Sequence, residues 1–282
     1  MQPTKYIALL SNPAGSHKTL QTAEKISLLL KRHGARHSTF TRLWPSSFDA
    51  FTEVWLVGGD GTVNWFINQF PGVQLPLAVF NAGSGNDFHW MLYGNTTTEQ
   101  QVERVLAGNV LQVDAGICNG RFFLNGAGIG FDGAIVKDLI GKRKLSGKAS
   151  YLLSILKNIV GYTEKPCTIE MDGEVIRQDC FMISVANGRR YGGGFYVAPK
   201  AQVADGLLDM MVVGSISPMK RIKYLPVIEK GEHLGLPFIT YRLVPRVRIT
   251  STMPVHAHLD GEYMSASVFE ISMLPGRFSF LV

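Results

Sequence analysis

The chain has 282 residues, of which 46% are hydrophobic and 18% charged, so it is too apolar for a disordered protein and long enough for two ordinary domains. Its 28 Lys and Arg against 22 Asp and Glu give a formal charge of +6, which favours attraction to anionic groups. The three cysteines form no C-x-x-C pair and no run reaches about 18 apolar residues, which argues against a disulfide framework, a zinc site and a membrane-spanning helix. We expect a cytoplasmic protein that touches a membrane, if at all, peripherally at its inner face.

The first part of the chain alternates between strand-like and helix-like patterns. An apolar run over residues 6–10 predicts a buried strand, and helical spacing over 18–33 predicts a helix closed by Gly34. Further strands are predicted at 54–57 and 75–80, and further helices at 63–70 and 99–107. Strands that alternate with helices at this spacing predict a parallel sheet with helices on its faces.

From about Asp114 onward, strand-like segments follow one another, and turn formers such as Asp172-Gly173 and Asp260-Gly261 separate them. The predicted strands are 121–125, 167–171, 174–176, 180–186, 207–213, 246–250, 255–259 and 269–273. One helix is predicted among them, at 147–159. We therefore expect an α/β domain over 1–113 and a β-rich domain over 114–274, with 275–282 as a candidate segment to complete the first.

The strongest chemical signal is Gly58-Gly59-Asp60-Gly61-Thr62, directly after a predicted strand and directly before a predicted helix. Consecutive glycines let the backbone approach a phosphate chain, and the helix N-terminus offers free N–H groups. Because a carboxylate repels phosphate, Asp60 is expected to act through Mg²⁺ or to polarise an attacking hydroxyl. The alternative is a tight turn in which Asp60 caps a helix.

Two further loops follow neighbouring strands of the predicted sheet. Asn12-Pro13-Ala14-Gly15-Ser16 comes after the first strand, and Gly83-Ser84-Gly85-Asn86-Asp87 comes after the strand at 75–80. Open parallel sheets bind ligands beyond the carboxyl ends of their strands, so all three loops are expected at one edge. Together they predict a kinase that uses a nucleoside triphosphate.

The loops at 58–62 and 83–87 resemble the catalytic-domain family of diacylglycerol kinases, which also covers sphingosine kinases and bacterial lipid kinases. Further segments similar to that family follow in its order: 113–116, 123–126, 130–132, 192–199, 204–209 and 260–262. The resemblance covers nearly the whole chain. It implies an α/β nucleotide-binding domain like that of NAD kinases and phosphofructokinases, and a β-rich, sandwich-like C-terminal domain.

The resemblance also implies the reaction, which is transfer of the γ-phosphoryl group of ATP, with Mg²⁺, to the hydroxyl of a lipid such as diacylglycerol. The implied ATP contacts are Asn12, Pro13, Ala14, Gly15, Ser16, Thr41, Gly58, Gly59, Asp60, Gly61, Thr62, Val63, Asn64, Ser84, Asn86 and Asp87. Glu262 matches the family's proton acceptor, with Asp260 beside it and Asp60 as a third catalytic candidate. Asp205 matches a structural Mg²⁺ site that carbonyls near Gln202 and Leu207 would complete.

Two other functions stay open: an NAD kinase-like enzyme, which shares the loop at 58–62, and a catalytically silent nucleotide-binding regulator at the membrane. The expected partners are a lipid with a free hydroxyl and an anionic membrane, with no nucleic acid, and a homodimer is left open. For the basic residues Lys142, Arg143, Lys144 and Lys148, a solvated face is the default interpretation and contact with anionic lipid the alternative.

Two motifs are given simpler interpretations. Residues 126–131 imitate a dinucleotide fingerprint, but the glycine spacing is wrong and a backbone turn is predicted. His256 and His258 share a strand face without a third metal ligand.

Overall fold

The computed structural model describes residues 5–15, 17–141 and 147–282, without the side chains of 147–150. Its helices are α1 (His17–Arg32), α2 (Asp60–Gln69), α3 (Asp87–Tyr93), α4 (Thr98–Leu106), α5 (Phe131–Leu139), α6 (Gly147–Asn158) and α7 (Pro218–Glu229). Its strands are β1 (Tyr6–Ser11), β2 (Arg36–Phe40), β3 (Glu53–Gly58), β4 (Leu77–Asn81), β5 (Val110–Cys118), β6 (Arg121–Phe123), β7 (Gly126–Gly130), β8 (Lys165–Met171), β9 (Glu174–Ala186), β10 (Leu208–Gly214), β11 (Ile239–Val244), β12 (Arg246–Leu259) and β13 (Glu262–Leu281). The chain forms two compact units: unit 1 is Met1–Val113 with Gly276–Val282, and unit 2 is Asp114–Pro275.

Unit 1 is built on a parallel sheet in the order β2-β1-β3-β4, with Phe280 of β13 paired beside β4. Every residue of β3 is buried, which fits a parallel strand that helices cover on both faces. Leu9, Trp55 and Phe66 are completely buried in the core of this unit. The predicted α/β domain is confirmed.

Two elements that lie wholly within unit 1, β2 and α3, were not predicted from the sequence. Strand β2 has the polar sequence Arg-His-Ser-Thr-Phe and lies at the edge of the sheet, so it lacks the apolar run that marks the inner strands. Helix α3 has only seven residues, which is too short to establish a helical repeat.

Unit 2 is β-rich and sandwich-like, as predicted. Strands β9 and β12 are 13 and 14 residues long, and both pair antiparallel with β7 along one part and with β8 along another. The sheet continues from β9 to β10 and β11, and from β12 to β13. Each long strand was predicted as two short ones, because exposed polar residues interrupt its apolar pattern.

The described residues of unit 2 form three helices, where one was predicted. Helix α6 matches that prediction, whereas α5 and α7 were missed; α7 carries Pro226 in its interior and exposed lysines that obscure its periodicity. The turn predicted over 126–131 is wrong, since β7 occupies Gly126–Gly130 and α5 begins at Phe131. No helix in the described part of the chain is both long and apolar enough to span a membrane.

Candidate functional site

The loop after β1 and the start of α2 meet at the carboxyl edge of the unit 1 sheet. Asn12 joins them, because its Nδ2 donates a hydrogen bond to Thr62 Oγ1 over 2.9 Å. The Asn12 Oδ1 in turn accepts from the Ala14 backbone N–H at 2.9 Å, which fixes the turn of the loop. Backbone N–H groups of two separate loops are thereby held at one edge of the sheet.

The loops after β3 and β4 pack against each other through their glycines. The Asp60 N–H donates to the Gly85 carbonyl at 3.0 Å. A Cβ atom placed on Gly59 would lie 2.5 Å from the Gly85 oxygen and 2.9 Å from Gly83 Cα. The sequence had suggested that these glycines serve only the approach of phosphate. The structure gives them a further role, which is close contact between two loop backbones.

Asp60 organises the same pair of loops through its carboxylate. Its two oxygens accept hydrogen bonds from the N–H groups of Asp87 and Phe88, both at 3.0 Å. These are the first two residues of α3, so Asp60 caps that helix from the neighbouring loop. The alternative foreseen from the sequence, a helix cap, therefore applies to α3, whereas the N-cap residue of α2, Gly59, makes no side-chain capping hydrogen bond.

The other expected ATP contacts have mixed exposure. Thr41 follows β2, whose Phe40 pairs with Leu10, so it lies at the same sheet edge as Asn12. Gly61 and Ser84 are exposed, whereas the side chains of Val63, Asn64 and Asp87 are buried. Asn86 closes its own loop by a hydrogen bond from its Nδ2 to the Gly83 carbonyl. Ser16 lies outside the described residues.

In unit 2, Asp260 and Gly261 form the tight turn between β12 and β13. Their φ angles of 50° and 86° are the left-handed pair of a type I′ hairpin. The Asp260 carboxylate accepts three backbone hydrogen bonds, from Leu124 N at 2.7 Å and from Asn125 N and Gly126 N at 2.9 Å each. Asp260 thus holds the segment before β7 in place, whereas Glu262 is exposed and accessible to a substrate.

Asp205 stands in an exposed turn before β10. The Asp205 Oδ1 accepts a hydrogen bond from the Leu207 N–H at 3.1 Å. The N–H of Gly206, between these two residues, donates to Asp114 Oδ2 at 2.7 Å. The exposed Asp205 carboxylate is an oxygen donor of the kind that Mg²⁺ takes. No cluster of three His, Cys, Asp or Glu residues suited to a metal occurs within the described ranges.

A buried polar cluster, which we call the Asp132 cluster, lies behind the Asp260 turn. Asp132 accepts hydrogen bonds of 2.8 Å from the hydroxyls of Tyr151 and Tyr191, and Tyr191 also contacts Ser184 Oγ at 2.9 Å. His258 Nε2 lies 4.0 Å from Asp132 Oδ2. Burial raises the pKa of Tyr191, with the charge of Asp132 adding to the effect.

His258 connects this cluster to the turn that carries Glu262. Its Nδ1 accepts a 3.2 Å hydrogen bond from the Gly261 N–H, so the neutral ring carries its hydrogen on Nε2, on the side of Asp132. Burial lowers the pKa of His258, which favours that neutral form.

Asp132, Tyr151 and Tyr191 of the Asp132 cluster also line a narrow, mostly apolar cavity of about 50 Å³. Helices α5, α6 and α7 and strands β9 and β10 supply its walls. The lining includes Phe131, Ile155, Ile159, Phe181, Phe195, Val213, Leu225 and Ile228. Sequence reasoning missed both cavity and cluster, although Asp132 and Tyr191 lie in or beside segments that carry the family resemblance.

Two of the three helices that line this cavity, α6 and α7, also expose apolar side chains. Leu153 and Leu156 on α6, and Met219 and Ile222 on α7, are 60%, 51%, 79% and 45% exposed. Three exposed lysines, Lys157, Lys220 and Lys223, lie on the same two helices. We call these seven residues the α6–α7 surface. The basic group expected from the sequence, Lys142, Arg143, Lys144 and the side chain of Lys148, lies outside the described residues.

Family models match both parts of the chain. Residues 7–118 match the diacylglycerol kinase catalytic domain, and residues 126–282, more than half of the chain, match the YegS C-terminal NAD kinase beta sandwich-like domain. A diacylglycerol kinase of Mycobacterium tuberculosis is 26% identical over 98% of this chain and 94% of its own length. A Chromohalobacter salexigens protein described as a "probable lipid kinase YegS-like" is 30% identical over 78% of this chain and 72% of its own.

Solved structures support the fold. A structure described as a diacylglycerol kinase from Bacillus anthracis superposes with a TM-score of 0.75 at 21% identity and covers 100% of this chain and 97% of the other. An NAD kinase from Archaeoglobus fulgidus, solved in complex with ATP, gives a TM-score of 0.56 at 15% identity, covering 99% and 93%. At these identities the likeness extends to the fold alone.

Proposed function

Because this chain belongs to the diacylglycerol kinase and YegS-like lipid kinase family, we propose that it transfers the γ-phosphoryl group of ATP to a hydroxyl group of a lipid. Membership of the family makes the protein a kinase. The nucleotide, the ion, the acceptor and the residue roles are our proposal, and diacylglycerol is the first acceptor to test.

Unit 1 would bind the nucleotide at the carboxyl edge of its sheet. The contacts expected are Asn12, Pro13, Ala14, Gly15, Ser16, Thr41, Gly58, Gly59, Asp60, Gly61, Thr62, Val63, Asn64, Ser84, Asn86 and Asp87. The Asn12–Thr62 hydrogen bond and the packing of Gly59 on Gly83 support this, since they hold backbone donors rigidly before any ligand arrives. Mg²⁺ would neutralise phosphate charge, and Asp205 with carbonyls of Gln202 and Leu207 would hold a second, structural ion.

The lipid acceptor is supported best by one observation, the apolar cavity whose polar end is the Asp132 cluster. His258 reaches from that cluster to Gly261, the residue before Glu262, so a hydroxyl at the polar end lies close to the turn. The cavity of about 50 Å³ would have to widen to take an acyl chain.

Glu262 is the residue we propose as proton acceptor. It is exposed, whereas Asp260 and Asp60 use their carboxylates to order backbone segments. Glu262 would take the proton of the lipid hydroxyl while the hydroxyl oxygen attacks the γ-phosphorus. ADP would leave with the bridging oxygen. Asp260 and Asp60 would act mainly by positioning the loops around them.

The α6–α7 surface is where we propose that the enzyme meets an anionic membrane. Its exposed apolar side chains suit shallow insertion, and each lysine near the headgroups contributes about 1 kcal/mol at low salt. Changing Lys157, Lys220 and Lys223 to Gln should lower sedimentation with phosphatidylglycerol vesicles, while activity on detergent-dispersed lipid persists. Equal sedimentation by this variant and by a control with Lys18 and Lys31 changed would contradict the assignment.

The experiment for the reaction itself compares acceptors and one matched pair of variants. Wild-type protein with labelled ATP and Mg²⁺ should phosphorylate detergent-dispersed diacylglycerol and leave NAD unlabelled. Glu262→Gln should lower kcat about 10²-fold or more, whereas Glu270→Gln, another exposed glutamate of β13, should retain activity. Labelling of NAD would favour the NAD kinase alternative. ATP binding without any transfer would favour a silent regulator.

A further inference from the structure

Two tryptophans of unit 1, Trp44 and Trp65, form an exposed aromatic pair that no role above explains. Their ring centroids are 5.1 Å apart with planes at 75°, and Trp65 is 51% exposed. One side of the pair is anchored in the core, because Trp44 also contacts Phe66 and Trp65 contacts Phe70, each at a centroid distance of 6.1 Å. The other side of Trp65 faces solvent.

The pair lies beside two of the three candidate loops, those at residues 12–16 and 58–62. The Trp44 indole N–H donates to the Ser11 carbonyl at 2.8 Å, and Ser11 immediately precedes Asn12. Trp65 follows Gly61 by four residues on α2, one helical turn of about 5.4 Å away on the same exposed face. Since helical side chains lean toward the N-terminus, the Trp65 ring covers the surface on the side of Gly61.

We propose that Trp65, supported edge-on by Trp44, is the stacking platform for the base of the nucleotide. This inference rests on the proposed function, because it needs a triphosphate at the loops. A phosphate chain held beside the loop of residues 58–62 leaves its sugar and base to extend across Gly61. A flat, rigid indole with one open face suits an aromatic base, whereas it offers nothing to phosphate.

Stacking on an indole discriminates by ring area more than by hydrogen-bonding pattern. Purine nucleotides should therefore bind better than pyrimidine nucleotides, and ATP and GTP should differ little through this contact. Base stacking on aromatic side chains corresponds to about a tenfold change in affinity.

The test is calorimetric titration of the full chain with MgATP, MgCTP and magnesium tripolyphosphate, which carries the phosphates without a base. Trp65→Ala should weaken ATP about tenfold, reduce the preference for ATP over CTP, and leave tripolyphosphate binding within twofold of wild type. Trp65→Phe should restore most of the ATP affinity. Leu28→Ala, which removes a similarly exposed apolar side chain from α1, should change none of these values.

Each remaining outcome refutes the inference in a different way. If Trp65→Ala lowered the affinities for ATP and tripolyphosphate equally, Trp65 would support the phosphate loops. If it lowered neither affinity, Trp65 would have no role in nucleotide binding. A change in oligomeric state with unchanged ATP affinity would assign the pair to a contact between copies of the chain. If wild-type protein bound tripolyphosphate but ATP no better, the platform would fail while the phosphate site survived. Failure to bind either ligand would refute the proposed function itself.

Discussion

Replacing Asp260 by Asn separates a positioning role from a catalytic one. Asparagine keeps the size of the side chain and tolerates the positive φ of 50° that the turn requires. It removes the charge from three backbone hydrogen bonds and places an amide NH₂ opposite one N–H, so that this donor loses its acceptor. Because Leu124, Asn125 and Gly126 are all buried there, water cannot replace the lost acceptor.

The size of the effect follows from those three contacts. A hydrogen bond to a charged group contributes about 1.5–3 kcal/mol, and leaving a buried donor unpaired costs about 1–3 kcal/mol. Losing one contact and weakening two should lower the free energy of unfolding by about 3 kcal/mol. Urea denaturation followed by circular dichroism measures this change directly.

Unit 2 provides a matched control for this prediction. Asp172 occupies the same position in another Asp-Gly hairpin, with φ of 28° and 87° at Asp172 and Gly173, but its side chain is exposed. Asp172→Asn should therefore change the free energy of unfolding by less than about 0.5 kcal/mol. If Asp260→Asn were equally harmless to stability yet abolished turnover, Asp260 would be catalytic and our reasoning would be wrong.

Three other changes probe separate parts of the structure. Gly59→Ala should destabilise unit 1 and weaken ATP binding, because the new Cβ would lie 2.5 Å from the backbone of the neighbouring loop, whereas the control Gly72→Ala has open space and should be neutral. Thermal unfolding and titration with ATP measure the two effects, and a neutral Gly59→Ala would show that the loops do not pack as described. Asp132→Asn should raise KM for the lipid about tenfold and leave KM for ATP unchanged, because the lipid would lose a charged hydrogen-bond partner. An unchanged KM for the lipid would show that Asp132 does not contact the acceptor. Because burial lowers the pKa of His258, the unfolded state binds more protons than the folded state below about pH 6.5, and the free energy of unfolding should fall as the pH drops through that range. This fall should be smaller in His258→Gln, and an identical pH dependence of stability in that variant would contradict the prediction.

Loop and turn positions were predicted well from the sequence where the signal is local. The glycine loops, their position at strand ends and the Asp-Gly turns follow from backbone chemistry that a few adjacent residues determine. The roles of the carboxylates depend on contacts far apart in the chain and could not be predicted this way. Asp60 caps a helix 27 residues away, and Asp260 binds N–H groups more than 130 residues away.

The same limit explains what was missed in unit 2. Asp132, Tyr191 and His258 each look unremarkable in their own segments, and only the pairing of β7 with β9 and β12 brings them together. Trp65 was hidden for a different reason. In a helix that begins with a strong loop motif, an aromatic residue is ordinarily read as core, and only its exposure in the structure marks it as available to a ligand.

The central claim is that the protein phosphorylates a lipid hydroxyl, and one measurement tests it most directly. Wild-type protein and Glu262→Gln are incubated with labelled ATP, Mg²⁺, a total lipid extract and NAD, and the labelled products are identified by mass spectrometry. We predict a phosphorylated lipid with wild type, at least about 10²-fold less with Glu262→Gln, and no labelled NAD. Label in NADP, or no labelled product from a protein that binds ATP, would contradict the account.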